Sequence, residues 1–272
     1  MMSNEHLSGV INSLLHCLDD AEFPVCISAA ISLQSYINND QAHDIFSQNL
    51  NHIVERFILL LQKVAVEEVM QSFDFLINKF EEVLLPMSTS ILNVLISAFR
   101  EYKQDEDNDN AVFTAMSTID CISSIVMNGC NNQEYYDSVV MTVLPMIMNI
   151  FENNECDFYD AGLLIIRTCV NFYDNANTTK GMIWELFPHL LMMIQNNAID
   201  YISGFTSIVD CYLAIPGTGM LDNQFNGKSY LELLYDFINS VSFDPEVSFV
   251  EQCYAMGMLM MIIHYYMSGC EW

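Results

Sequence analysis

The sequence predicts an all-α protein built from repeated helical hairpins, and three observations carry that reading. Apolar residues recur at three- and four-residue intervals along most of the chain, the period of a helix with one buried face. Only 10 Gly and 6 Pro punctuate 272 residues, too few for the turns a strand-rich fold needs. The helical segments also fall into pairs that recur along the chain. Hydrophobic residues make up 52% of the total, which excludes a disordered polyelectrolyte and supplies a core for every pair.

The first helix spans Glu5–Leu18, with Leu7, Val10, Ile11, Leu14, Leu15 and Leu18 as its apolar positions. Asp19-Asp20-Ala21-Glu22 ends it. The next begins at Phe23-Pro24-Val25, with proline in the first turn, where its missing N–H costs nothing. Ile27, Ala30, Ile31, Leu33 and Ile37 share its apolar face, and small Ala29 and Ala30 let a neighbouring helix approach closely. The second pair covers Ile45–Val64, with a stripe of Ile53, Phe57, Leu60 and Leu61, and Val66–Val83, with Val69, Met70, Phe73, Leu76, Ile77 and Phe80. The third opens near Leu85-Pro86, crosses the charged run 104–110 and resumes over Ala111–Val126. The fourth comprises Glu134–Phe151 and Phe158–Phe172, and the fifth Met182–Ile194 and Ile199–Leu213. Pro216-Gly217-Thr218-Gly219 opens the longest loop, before a sixth pair over Tyr230–Val241 and Val247–Met267.

The second helices start near residues 25, 66, 111, 157, 199 and 247, at intervals of roughly 41–48. That is near the spacing of about 40–47 residues of HEAT-type repeats and far from the 34 of tetratricopeptide repeats. The expected fold is therefore a HEAT-like solenoid of about six hairpins, a single array over 1–272, each hairpin burying its stripe against its neighbours. The last helix is apolar nearly all round, from Met256 through Tyr266, with nothing polar after it to cover it. A free array needs polar end caps. The expectation is that the chain is a fragment of a longer one.

Charge narrows the partners. With 35 acidic residues against 8 basic ones, the net charge is −27. Self-repulsion at that level disfavours nucleic acid and anionic membrane and favours basic ligands. The 9 cysteines are an odd number scattered singly, with no C-x-x-C, so a reducing compartment without disulfides is expected. Cys121, Cys169, Cys211 and Cys253 fall on apolar faces as small hydrophobes. The N-terminal stretch is acidic and lacks the basic-then-apolar pattern of a signal peptide. The run Ala255–Met267 is too short to span a bilayer.

Motifs for chemistry are sparse. Asp105-Glu106-Asp107-Asn108-Asp109 superficially matches a calcium loop, but with Asp105 first the sixth position is Asn110 instead of Gly and the twelfth Met116 instead of Glu. The run reads as a solvated loop or as an acidic patch for a Lys/Arg-rich partner, and Asp105, Glu106, Asp107 and Asp109 are the candidate contacts. No G-x-S-x-G, phosphate-cradling glycine loop or H-E-x-x-H occurs, so no enzyme and no cofactor is expected. His189 and His264 lie in helical stripes as core or groove residues. Asn177-Thr178-Thr179 matches a glycosylation sequon, which a reducing compartment would leave unused. The 18 Met residues, Met146, Met148, Met192, Met193 and Met256–Met261 among them, are expected mainly to fill core gaps. Any exposed between repeats would form adaptable apolar slots suited to short aromatic peptide motifs.

Beyond the periodicity, particular residues resemble one family. Pro24-Val25 with Ala29-Ala30-Ile31-Ser32-Leu33-Gln34, an acidic insert followed by Ala111-Val112, Ala115-Met116 and Thr118-Ile119-Asp120, then Phe158-Tyr159-Asp160, Trp184-Glu185-Leu186-Phe187-Pro188, Asp200-Tyr201 and Tyr230-Leu231-Glu232-Leu233 occur in one order. The set resembles the middle-to-late part of an importin-beta superfamily nuclear transport receptor (karyopherin) of the importin seven and importin eight type. The resemblance covers about Leu14 to Ile263. It implies a receptor that carries basic protein cargo through nuclear pores, touches Phe-Gly nucleoporins and obeys the Ran GTPase, moving between cytoplasm and nucleus at the nuclear envelope. The family's amino-terminal Ran-binding repeats have no counterpart in these residues, so Ran control belongs to the implied whole receptor. The alternative is a HEAT-repeat scaffold subunit of another intracellular assembly, such as a phosphatase or condensin complex.

Overall fold

The computed structural model describes residues 4–104 and 109–267, and nearly all of them are helical. The chain divides into two compact units, Met1–Gly129 and Cys130–Trp272. Both are HEAT-like stacks of helical hairpins.

In the first unit, α1 (Asn4–Cys17) and α2 (Phe23–Ile37) form the opening hairpin. α2 buries Cys26, Ala29, Ala30, Leu33 and Ile37, so both small alanines face its packing partners α1 and α4, while Ile27 and Ile31 are half-buried. α3 (His43–Leu61) packs on α1 and α2 and is tied to the end of α1 by Arg56. Its Nε donates to the Leu18 carbonyl at 2.9 Å and stands 3.2 Å from the Asp19 carboxylate.

One helix is predicted over Val66–Val83, but two form: α4 (Glu67–Lys79) and the single turn α5 (Glu81–Leu84). The chain bends at Phe80, whose ring is driven into the core, 5.2 Å from the His43 ring and 6.1 Å from that of Phe46. α6 (Ser88–Tyr102) follows a short turn at Leu85–Met87. At its end the Tyr102 hydroxyl donates to the carbonyls of Leu61 and Val64, groups left without partners where α3 stops. Burial, aided by the charge of Glu101, pushes that hydroxyl up to about 12. α7 (Asp109–Asn131) is longer than the expected 111–126 and joins α4 through Ser124, whose hydroxyl donates to Asp74 at 2.7 Å. Two stretches, Glu81–Tyr102 and Ala111–Asn131, match a membrane span by length and hydropathy alone. The first is interrupted by the turn at Leu85–Met87, and both bury one face in the core, through Leu92, Leu95 and Phe99 or Ala115, Ile119 and Ile122.

The second unit comprises α8 (Gln133–Glu152), α9 (Tyr159–Asn171), α10 (Lys180–Asn197), α11 (Ile202–Ala214), α12 (Gly219–Asp222), α13 (Tyr230–Ser242) and α14 (Phe249–Met267). The second helices α9, α11 and α14 stack in sequence, and α10 packs on α13. Aromatic rings fill this core. Phe187 lies 5.1 Å from Tyr212 and 5.3 Å from Tyr230, and Phe205 lies 5.9 Å from Phe237. Two buried tyrosines also staple hairpins, the Tyr136 hydroxyl donating to the Cys169 carbonyl at 2.6 Å and the Tyr212 hydroxyl to the Ile183 carbonyl.

The long loop after Ala214 is more ordered than predicted. It holds α12 and a two-stranded hairpin, β1 (Gln224–Phe225) and β2 (Lys228–Ser229). Asn226 and Gly227 sit at φ 53° and 79°, the left-handed pair a two-residue hairpin turn requires. Ser229 then caps α13: its hydroxyl accepts from the Glu232 N–H at 3.2 Å, and the Glu232 carboxylate accepts from the Ser229 N–H at 2.7 Å. Gly219 lies flat on Trp184, and an added Cβ would stand 2.3 Å from that indole.

The two residues that lead into α10 are held by another helix. Both carboxylate oxygens of Asp137 on α8 accept hydrogen bonds, Oδ2 from Thr178 N–H (2.9 Å) and Oγ1 (2.8 Å), Oδ1 from Thr179 N–H (3.2 Å) and Oγ1 (2.7 Å). The same loop is held by Asn177, which donates to Gln133 at 3.1 Å, and by Asn175, which donates to the Pro216 carbonyl at 3.3 Å.

The last helix is covered on one side only. Of its described residues only Ala255 and Met258 are buried, whereas Phe249 is 78% and Met260 63% exposed. The expectation that Met256–Met261 chiefly fill core gaps is thus corrected: Met256 and Met260 face outward. Cys253 is likewise exposed and Cys211 half-buried, while Cys121 and Cys169 lie in the core as expected. α14 packs chiefly on α11 and α13. Among the described residues the cysteines are free thiols.

Candidate functional site

The acidic candidates give no described constellation. Asp105, Glu106 and Asp107 lie outside the described residues, and Asp109 is described only as the backbone start of α7. Among the described residues, no group of three or more His, Cys, Asp and Glu side chains stands close enough to hold a metal ion.

The concave sites that are described lie chiefly in the second unit, and two of them abut between α8 and α10. On α8, Leu144, Pro145, Met148, Phe151 and Glu152 fall at helical spacing on one face. On α10 the facing stripe is Met182, Glu185, Leu186, His189, Met192, Met193 and Asn196. Leu144, Leu186, Leu190 and Phe151 are buried and anchor the two helices. Met148 and Met182 are half-buried, and Met192 is exposed. The apolar surface between the helices is thus closed at its floor and open at its rim.

Two cavities result. The first, about 250 Å³, is bounded by Leu144, Pro145, Met148, Met182, Glu185, Leu186 and His189. The second, about 230 Å³, shares Met148 and His189 and continues to Phe151, Glu152, Met192 and Met193. A closed apolar cavity of about 150 Å³ accepts a benzene ring, so each has room for an aromatic side chain. Proline shapes the first: Pro145 has no N–H for the Met141 carbonyl, which leaves that turn of α8 free to bend. His189 is exposed, so of the two expected places for it, core or groove, it takes the groove. Its ring meets the Phe225 ring edge-on at 6.3 Å, so the β1–β2 hairpin holds it from behind. His264 lies exposed beside Tyr265, away from these walls.

The chemistry available here is soft and adaptable. Thioethers accommodate rings of different shape and favour sulfur–aromatic contact. Glu152 and Glu185 place one carboxylate at each cavity, and no Lys or Arg lines either. A broader concavity of about 700 Å³ lies near β2, bounded by Leu221, Leu231, Tyr235 and Ile262. Its charged groups already have partners, Lys228 pairing with Asp236 at 2.6 Å and Glu232 accepting from the Ser229 hydroxyl.

No protein-family model matches the chain. It is 19% identical over 234 residues to a probable importin-7 homolog of Dictyostelium discoideum, covering 85% of this chain and 21% of that protein. Over 253 residues it is 21% identical to importin-8 of Mus musculus, covering 90% of this chain and 24% of that protein. It is 23% identical over 214 residues to an importin beta-like SAD2 homolog of Arabidopsis thaliana, covering 75% and 20%. The chain therefore spans about a fifth to a quarter of the length of the curated relatives it matches. Similarity to importin-type proteins of an amoeba, an animal and a plant, running through most of a chain of HEAT-like hairpins, supports its membership of the importin-β superfamily.

Proposed function

We propose that this chain is a binding module of a nuclear transport receptor, working by capture and release of protein segments and without catalysis. The observation that carries the proposal is the pair of abutting apolar slots between α8 and α10, in a chain similar to importins. Phe-Gly segments of nucleoporins place single aromatic rings in these slots, while basic protein cargo is held by the acidic surface. Asp105, Glu106, Asp107 and Asp109 remain the proposed cargo contact. Ran controls loading and release through other parts of the receptor, which shuttles between cytoplasm and nucleus.

Retention on immobilised Phe-Gly repeats tests the slots. Met148→Glu puts a charge in the wall that both slots share, and retention should fall at least tenfold with the helical circular dichroism unchanged. Equal retention by both proteins overturns the assignment. A basic ribosomal protein tests the acidic run, since its capture should weaken with salt and on replacing the four acidic residues by Ser. The exposed apolar side of α14 favours a second reading, a HEAT-repeat scaffold that packs against another subunit. A stable complex lost on Met260→Glu, with no retention on Phe-Gly repeats, would support it.

A further inference from the structure

We propose that the preferred occupant of the twin slots is a segment with two aromatic residues three positions apart and a Lys or Arg beside them, in preference to a neutral aromatic motif. The inference rests on the slot assignment above and adds spacing and charge to it. Spacing follows from the walls. The first slot uses α10 from Met182 to His189 and the second from His189 to Asn196, so their centres lie seven residues apart, about 10 Å along the helix axis. In a polyproline II segment, residues i and i+3 point the same way about 9 Å apart. One extended segment can therefore fill both slots with rings three positions apart.

Charge follows from the rims. Glu152 and Glu185 lie one at each slot, both exposed, and neither forms an ion pair among the described residues. With no cation in either lining and a net charge of −27, a neutral segment gives these carboxylates no counterpart. A basic one does, and it is also steered towards the chain before contact. A second copy of this chain is excluded as the occupant on the same ground, since it brings another −27.

The test is fluorescence anisotropy of the full chain with three labelled peptides. The first carries two Phe separated by two Ser, flanked by Arg. The second replaces the Arg by Ser, and the third replaces one Phe by Ser. At low salt the first should bind about fivefold more tightly than the second, the scale of two partly exposed ion pairs. It should bind about tenfold more tightly than the third, since one ring is lost. The advantage of Arg should vanish in the double variant Glu152→Gln with Glu185→Gln, fade with added salt, and persist in Glu67→Gln with Glu68→Gln on the other unit. Equal binding of the first two peptides overturns the charge preference, as does an advantage that survives the slot double variant. Equal binding of the first and third overturns the two-ring spacing. If the neutral peptide binds as tightly as the Arg-flanked one and Met148→Glu abolishes both, the slot assignment stands while this inference falls. If no peptide binds, both fall.

Discussion

At the scale of single residues, Asp137 shows how a position of no apparent interest becomes structural. Nothing in its neighbourhood marks it, because its partners Thr178 and Thr179 follow 41 and 42 residues later and meet it only when α8 and α10 pack. Its carboxylate accepts from the N–H groups of Thr178 and Thr179, the two residues that lead into α10, where the helix dipole also favours negative charge. Burial opposes its ionisation, but the hydrogen bonds from Thr178 and Thr179 together outweigh that and hold the carboxyl below its ordinary value of 3.8. A carboxyl lowered in the folded state adds stability that is present above its unfolded value and lost as the pH falls through the folded one. Asp137→Asn keeps the shape but replaces one of the two acceptor oxygens by an NH₂, which then faces the N–H and the hydroxyl of one threonine. At neutral pH it should cost about 1 kcal/mol, a modest figure because the site is partly solvated. The gap in melting temperature between the two proteins should close as the pH drops below 3.8. A gap that stays constant would mean the ionised carboxylate is not what holds the lead into α10.

At the scale of elements, hairpin positions were readable because each helix carries its own stripe, and the observed helices keep the predicted order. Departures occur where a tertiary contact outweighs local pattern. Phe80 reads as one more apolar position of a continuing helix, yet the helix breaks there and its ring stacks on His43. The β1–β2 hairpin rests on a purely local signal, Asn226-Gly227 between short extended pairs. The slots were legible only in outline. Met148, Met192, Met193 and His189 could be named, but which face of α10 meets α8 depends on how successive hairpins stack. The small helix α12 illustrates such packing most sharply. It lies against Trp184 only because Gly219 has no side chain, and the indole, 5% exposed, has nowhere to retreat. Gly219→Ala should therefore lower stability by about 1–3 kcal/mol in thermal or denaturant unfolding. An unchanged melting temperature would show that α12 can lift away from α10 at no cost.

At the scale of the whole molecule, charge dominates. The chain holds 35 acidic residues against 8 basic ones, and pairs such as Arg56–Asp19 and Lys228–Asp236 neutralise few of them. Raising ionic strength from 0.01 M to 0.15 M shortens the screening length from about 30 Å to about 8 Å. Long-range repulsion then weakens more than these close pairs do, so the melting temperature should rise with added sodium chloride. A fall would mean that the ion pairs matter more than the net charge. The knot around Asp137 has a consequence on this scale as well. The sequon Asn177-Thr178-Thr179 is tied into it: Asn177 donates to Gln133 and accepts from the Asp174 N–H at 2.7 Å, and both threonine hydroxyls are spent on Asp137. An oligosaccharide transferase must draw such a tripeptide out and expose its asparagine amide. In the folded chain that would mean freeing the lead into α10, so the sugar-acceptor motif is sealed by the bonds that set the helix in place.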